Sequence, residues 1–133
     1  MTGLSKTEYE FAQAFATIQG RIHHTAKTHG FWEDIEKLLA LADECGKFRA
    51  MNSLVSTQKL CLIHSEISEA MEGDRKNLMD DKLPHRTMEE VELADAIIRI
   101  MDYAEFRSYN LAEAIIEKHK YNETRPYKHG KGY

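Results

Sequence analysis

The sequence predicts an all-α protein, a single domain over residues 1–133 built as a bundle of four to five helices. Three observations carry that prediction. Hydrophobic residues fill 42% of the 133 positions, and only two prolines and seven glycines interrupt them, which favours a helical globular chain over a disordered one. Apolar side chains recur three and four positions apart, the period of one helix face. Cap signatures head these runs, and a chain of this length can bury a real core beneath them.

Ser5-Lys-Thr-Glu8 reads as a capping box before a first helix with Phe11, Phe15, Ile18 and Ile22 on one side. That helix should end near His29-Gly30, where glycine accepts the left-handed C-cap conformation. His23, His24 and His29 lie among polar positions with no matching cysteine or carboxylate pattern, and are expected at the surface. The single tryptophan, Trp32, follows Phe31 at a helix junction. It is either a core plug or, through its π-face, a stacking platform for a base. Ile35, Leu38, Leu39 and Leu41 suggest a helix of about three turns, interrupted near Gly46.

A second main helix is expected from about Asn52 to about Lys76, with Lys82-Leu-Pro84-His85 preventing its continuation. Thr87-Met-Glu-Glu90 reads as a second capping box, and Asn110-Leu-Ala-Glu113 as an Asx cap for the last helix. The apolar face of that last helix, Leu111, Ala114 and Ile115, gives way to Lys118, Asn122 and Arg125. Those groups are either solvated where the helix leaves the core or aimed at an anionic ligand. Arg125-Pro126 ends the helix, and residues 125–133 form a basic tail containing Tyr127 and Lys131.

Chemistry concentrates between residues 59 and 102. Glu66-Ile-Ser-Glu69 and Glu92-Leu-Ala-Asp95 each place two acids on one helical face, beside stripes formed by Leu60, Ile63, Ile67 and Ala70 and by Val91, Ala94, Ile98 and Met101. Four carboxylates at the border of a core repel one another and lose hydration. Divalent cations offset that cost, and hard oxygen donors suit Mg²⁺ or Mn²⁺. Interval alone is not the signal, because Glu33/Glu36 and Glu89/Glu92 share it. What marks the two pairs is that both border apolar stripes on helices joined by a short turn. Asp102, further along the second stripe with Arg99 nearby, is either a fifth acid or the partner of a basic side chain.

Composition also excludes. A formal charge of −4 gives no footprint for nucleic acid. No apolar run approaches about 20 residues and no signal peptide opens the chain, so no membrane role and a cytoplasmic location are expected. Cys45 and Cys61 make neither a metal spacing nor a disulfide framework, and Cys61 is expected to be a buried, inert thiol. A di-iron carboxylate bundle would want Glu-x-x-His pairs, and the chain has none.

These motifs resemble the MazG-like all-α nucleoside triphosphate pyrophosphohydrolases, whose signature is EExxE followed by ExxD on the next helix. Ser65 stands where that family's first glutamate would be, leaving Glu66 and Glu69, then Glu92 and Asp95. LIHSEISEA, ELADAIIRIMD and KHKYNETRPYKHGK resemble the phage-type branch in particular. The likeness covers about residues 55–131, with Gly30-Phe-Trp32 a weaker match upstream.

The resemblance implies a helical bundle that assembles as a dimer or a dimer of dimers, with Mg²⁺ (or Mn²⁺) held by Glu66, Glu69, Glu92 and Asp95. It implies hydrolysis of a nucleoside or deoxynucleoside triphosphate at the α–β linkage, giving the monophosphate and pyrophosphate. In that scheme one carboxylate takes the proton of the attacking water, and Lys118 and Arg125 stabilise phosphate charge. Asn122 orients the sugar or phosphate, Trp32 faces the base, and Tyr127 and Lys131 belong to the substrate-binding tail. Some phage members of the family make dGMP from dGTP, so a guanine nucleotide is the expected substrate, handled in the host cytoplasm if the chain is phage-encoded. The alternative is a non-catalytic helical dimer that binds a nucleotide or a protein partner.

Overall fold

The computed structural model describes residues 3–130. Its elements are α1 (Lys6–Thr28), α2 (Glu33–Glu44), α3 (Phe48–Lys76), α4 (Met88–Phe106) and α5 (Leu111–Glu123), followed by a 3-10 turn over Tyr127–Gly130. The architecture is all-α, with five helices among the described residues.

Local chemistry explains the boundaries. The Glu8 backbone N–H donates to Ser5 Oγ at 3.3 Å, and the Ser5 N–H donates to the Glu8 carboxylate at 2.7 Å, so the first capping box is complete. α1 stops at His29, and Gly30 turns the chain at φ +84°. Gly46, at φ +68°, separates α2 from α3. α3 begins at Phe48 rather than near Asn52, and its first turn brings Met51 against the Trp32 core. Thr87 caps α4 by accepting the Glu90 N–H at 3.2 Å, but the Glu90 carboxylate turns to Arg86, so this second box is half formed. Asn110 caps α5 by accepting the Glu113 N–H at 3.3 Å.

α3 and α4 form the central antiparallel hairpin. In the connection between them, Asp80 is buried and its carboxylate accepts the backbone N–H groups of Lys82 at 3.0 Å and Leu83 at 2.6 Å. Met79 and Thr87 close the loop with an isolated antiparallel bridge. Gly73 allows the helices to meet: a Cβ there would lie 2.9 Å from Met88 Cβ and 3.0 Å from the Glu89 nitrogen. α1 packs on α4, α2 packs on α3, and α5 packs on α1.

Two cores follow from that packing. Ala12, Ala112 and Ile116 join α1 to α5. Trp32, Leu39 and Val55, with Phe106 against them, join the α1–α2 corner to the central hairpin. Trp32 is the largest fully buried side chain, at 1% exposure. An indole of ~200 Å² at ~25 cal/mol per Å² makes its burial worth up to about 5 kcal/mol.

Other apolar groups stay outside. Leu60, Ile67 and Met71 of α3, and Leu93 and Ile97 of α4, are exposed. Cys61 lies on this outward side and is exposed, not buried as its apolar neighbourhood suggested: α3 is apolar on more than one face, and the inward one excludes residue 61. No helix among the described residues is long and apolar enough to cross a membrane.

Candidate metal centre and its cleft

The antiparallel hairpin brings the two acidic pairs together. Carboxylate oxygens of Glu66 and Glu69, one turn apart on α3, and of Glu92 on α4 all lie within 4.8 Å of one another. Glu66 is buried, Glu92 is partly buried, and Glu69 opens to solvent. Asp95 lies outside this trio but close enough for the Glu66 charge to raise its pKa. Of the four expected ligands, the structure therefore gathers three tightly and sets the fourth beside them. Ser65 does not join: its hydroxyl donates to the Leu62 carbonyl at 2.7 Å.

Electrostatics shows the strain of that gathering. Burial, first, pushes Glu92 up to about 7; a hydrogen bond with Glu66 and the charges of Glu69, Glu66 and Asp95 add to it. Asp95 is also raised, chiefly by burial and then by Glu66, with Arg99 opposing and Asp80 contributing. Arg99 Nε pairs with the Glu66 carboxylate, the one salt-bridge partner of the trio among the described residues. Oxygens bound at about 2.1 Å to one Mg²⁺ lie closer together than 4.8 Å, so these three hard donors would hold an ion by drawing inward. The residues fit such a cation.

A cleft of about 940 Å³ opens beside the acids. Glu66, Asp95 and Arg99 line one part of it, and Ile18, Ile22 and Ile35 line another. Lys59 and Arg21 also face it, and Phe31 stands at its mouth, 70% exposed. Sequence reasoning missed Lys59 and set Arg99 beside Asp102 rather than Glu66, although both carried a signal. Lys59 lies two helical turns before Glu66 and Arg99 one turn after Asp95, each on the face of its acid.

Trp32 is not available to a base. Its ring stacks on Phe106 at 4.4 Å between centroids, meets His23 edge-on at 5.2 Å, and carries the Lys59 ammonium 4.0 Å from its centroid. Its Nε1–H donates to both oxygens of Asp102, at 2.9 and 3.1 Å. The core-plug alternative holds, because the corner between α1 and α2 folds the indole inward against α4. Asp102 stands outside the trio but lines the same cleft, and its partners there are Trp32 and His23, whose Nδ1 lies 2.7 Å away. His23 is correspondingly drawn in from the surface, while His24 and His29 remain exposed.

The expected basic residues of α5 lie elsewhere. Lys118, Asn122 and Arg125 are exposed, as is Tyr127, and none lines the cleft. Lys118 rests over the Tyr121 ring at 4.5 Å. Lys120 pairs with Glu8, which fixes the far end of α5 beside the start of α1. Glu8 precedes Ile18, the first cleft-lining residue of α1, by ten residues, about 15 Å along the helix. Within one chain, then, Lys118 and Arg125 are not among the cations that line the cleft. Lys131 lies outside the described residues.

No family model, curated protein or solved structure matches the chain. The arrangement itself is suited to one kind of chemistry. It sets a cluster of hard anionic donors and several cations around an apolar cleft, so it can hold a divalent ion against a polyanionic ligand that also has an apolar part.

Proposed function

We propose that this chain is a MazG-like, metal-dependent nucleoside triphosphate pyrophosphohydrolase that cleaves a (deoxy)nucleoside triphosphate to the monophosphate and pyrophosphate. The observation that carries the reading is the Glu66–Glu69–Glu92 trio, gathered by the α3–α4 hairpin at the edge of a cleft of about 940 Å³. That volume suits a nucleotide, at the upper end of the ~300–1,000 Å³ of small-molecule sites. Mg²⁺ or Mn²⁺ held by Glu66, Glu69 and Glu92 would neutralise phosphate charge and make a bound water acidic enough to attack near neutral pH. Asp95, outside the trio yet facing the cleft, would be the carboxylate placed to take a proton from an attacking water. Arg99 is positioned to stabilise charge on the phosphates once the ion replaces it at Glu66. Phe31, exposed at the mouth, is the aromatic left for a base, and guanine is the base we expect.

The working unit is a homodimer or dimer of dimers. Leu60, Ile67, Met71, Leu93 and Ile97 leave the central hairpin with an apolar face that a second copy would cover. A second copy also supplies what one chain lacks, a basic α5 end with Lys118, Asn122 and Arg125 brought to an acidic cleft. Pyrophosphate release from a panel of dGTP, dATP, dCTP and dUTP with Mg²⁺ or Mn²⁺ tests the reading. Metal-dependent release, fastest with dGTP, is the expected result. Tight nucleotide binding without any release would make the chain a binding protein instead.

A further inference from the structure

We propose that Lys59 is the phosphate-binding cation of the cleft and that the buried Trp32 indole is the platform that positions it. The inference rests on the pyrophosphohydrolase reading and extends it to two residues that no acidic motif includes. Lys59 sits on α3 two turns before Glu66, about 10 Å along the helix, and it faces the same cleft. Its ammonium is partly buried and lies 4.0 Å from the centroid of the Trp32 ring. Among the described residues Lys59 forms no salt bridge, whereas Asp102 is bonded to His23 and Trp32, and Glu66 to Arg99.

A half-buried ammonium resting on a π-face, with no described carboxylate oxygen within 4.0 Å of it, has given up hydration for a weak partner and a more distant Asp102. Burial lowers its pKa, and the nearby Asp102 charge opposes that shift. Phosphate oxygens entering the cleft would replace the π-face with charge-assisted hydrogen bonds, which are stronger. The platform is rigid enough to set the ammonium's position: Trp32 is 1% exposed, stacked on Phe106 and tied by two hydrogen bonds to Asp102. Asp102 and His23 therefore act at one remove, by holding the indole that holds the lysine. Arg21, which also faces the cleft, and Arg99 complete a set of cations around the same space.

Trp32 is the chain's only tryptophan, so its emission reports directly on the ammonium above it. The experiment titrates the full-length protein with inorganic pyrophosphate, with and without Mg²⁺, while following that emission. Steady-state kcat and KM for dGTP are measured in parallel. In the wild type, pyrophosphate should shift the emission. Lys59→Met should abolish the shift and raise KM at least tenfold, and Lys59→Arg should recover part of both. A Lys59→Met protein with unchanged KM and an unchanged pyrophosphate response overturns the inference while leaving the hydrolase reading intact. A wild type that hydrolyses no nucleotide overturns the hydrolase reading, yet a Lys59-dependent emission shift would still support the anion site. If Lys59→Met does not fold, the wild-type titration decides: no change in emission up to millimolar pyrophosphate overturns the proposal.

Discussion

The α3–α4 hairpin and the end of α5 both carry charged side chains at helical spacing, and the fold treats them differently. In the hairpin, Glu66, Glu69 and Glu92 converge until their oxygens lie within 4.8 Å. At the end of α5, Lys118 and Asn122, with Arg125 just beyond the helix, are exposed and do not line the cleft. Spacing determines which residues share a face, but not what that face meets. For the hairpin the missing information is local. A short turn braced by Asp80, and a glycine that admits Met88, leave two antiparallel helices one way to dock. For α5 it is not local, since the helix docks on the start of α1 through Ala12, Ala112 and Ile116 and is anchored by the Lys120–Glu8 pair.

The hairpin should be the more sensitive region. Glu69→Gln removes one of three hard donors and should lower turnover about 100-fold or more. The protein should stay folded, and its metal-free form should melt no lower than the wild type, because a self-repelling cluster has lost a charge. Full activity in Glu69→Gln would sink the metal assignment.

Next in size is the effect of α5, which tests whether a second copy unites the two regions. Arg125→Ala should cost about 10- to 100-fold in kcat/KM, as expected for a charge-assisted contact to phosphate. Mixed with inactive Glu69→Gln, it should regain roughly a quarter of wild-type activity, because one intact site forms in each mixed dimer. Two outcomes separate the ideas. No recovery on mixing would count against a site shared between two chains; an unaffected Arg125→Ala removes this end of the chain from the chemistry altogether.

The same division governs what could be seen in advance. Helix starts at Ser5, Thr87 and Asn110, the stop at His29-Gly30 and the break at Gly46 were legible because caps and glycines act within one turn. That the acidic pairs could face one another was legible from the short turn joining their helices, although Asp95 stands outside the trio. Trp32 was not, because its two possible roles differ only in whether Phe106, distant in sequence, covers its ring. His23 looked like a surface residue until α4 placed Asp102 against it. Cys61 looked buried because an apolar stripe does not reveal which of two apolar faces turns inward.

A smaller effect tests the docking of the hairpin itself. Gly73→Ala gains up to about 1 kcal/mol of helix propensity, but the new methyl would stand 2.9 Å from Met88 Cβ and 3.0 Å from the Glu89 backbone nitrogen. A backbone atom cannot swing aside, and overpacking costs typically about 1–3 kcal/mol. The clash should win and lower Tm by several degrees. Gly20→Ala on α1, where nothing lies within 4 Å, should instead raise Tm slightly. A stabilised Gly73→Ala would mean that α4 does not seat its first turn against α3.

The smallest effect is a pH dependence of the metal-free protein, and its sign follows from Glu92. Its ordinary value of 4.5 is raised to about 7 in the folded state, by burial first and then by Glu66, Glu69 and Asp95. The folded protein therefore holds a proton that the unfolded chain releases. That preference stabilises the fold fully below about pH 4.5 and is lost as pH rises through about 7. Asp95, raised in the same direction, reinforces the trend. Melting temperature without metal should fall across this window by a few degrees at most, since the cluster opens partly to solvent and water screens its repulsion. Saturating Mg²⁺ should flatten or invert the slope, because a cation binds the ionised cluster and not the protonated one. Thermal melts from pH 4.5 to 7.5, with EDTA and with Mg²⁺, measure both arms. A metal-free Tm that rises with pH would show that Arg99 already neutralises the acids, leaving the cluster with no need of an ion.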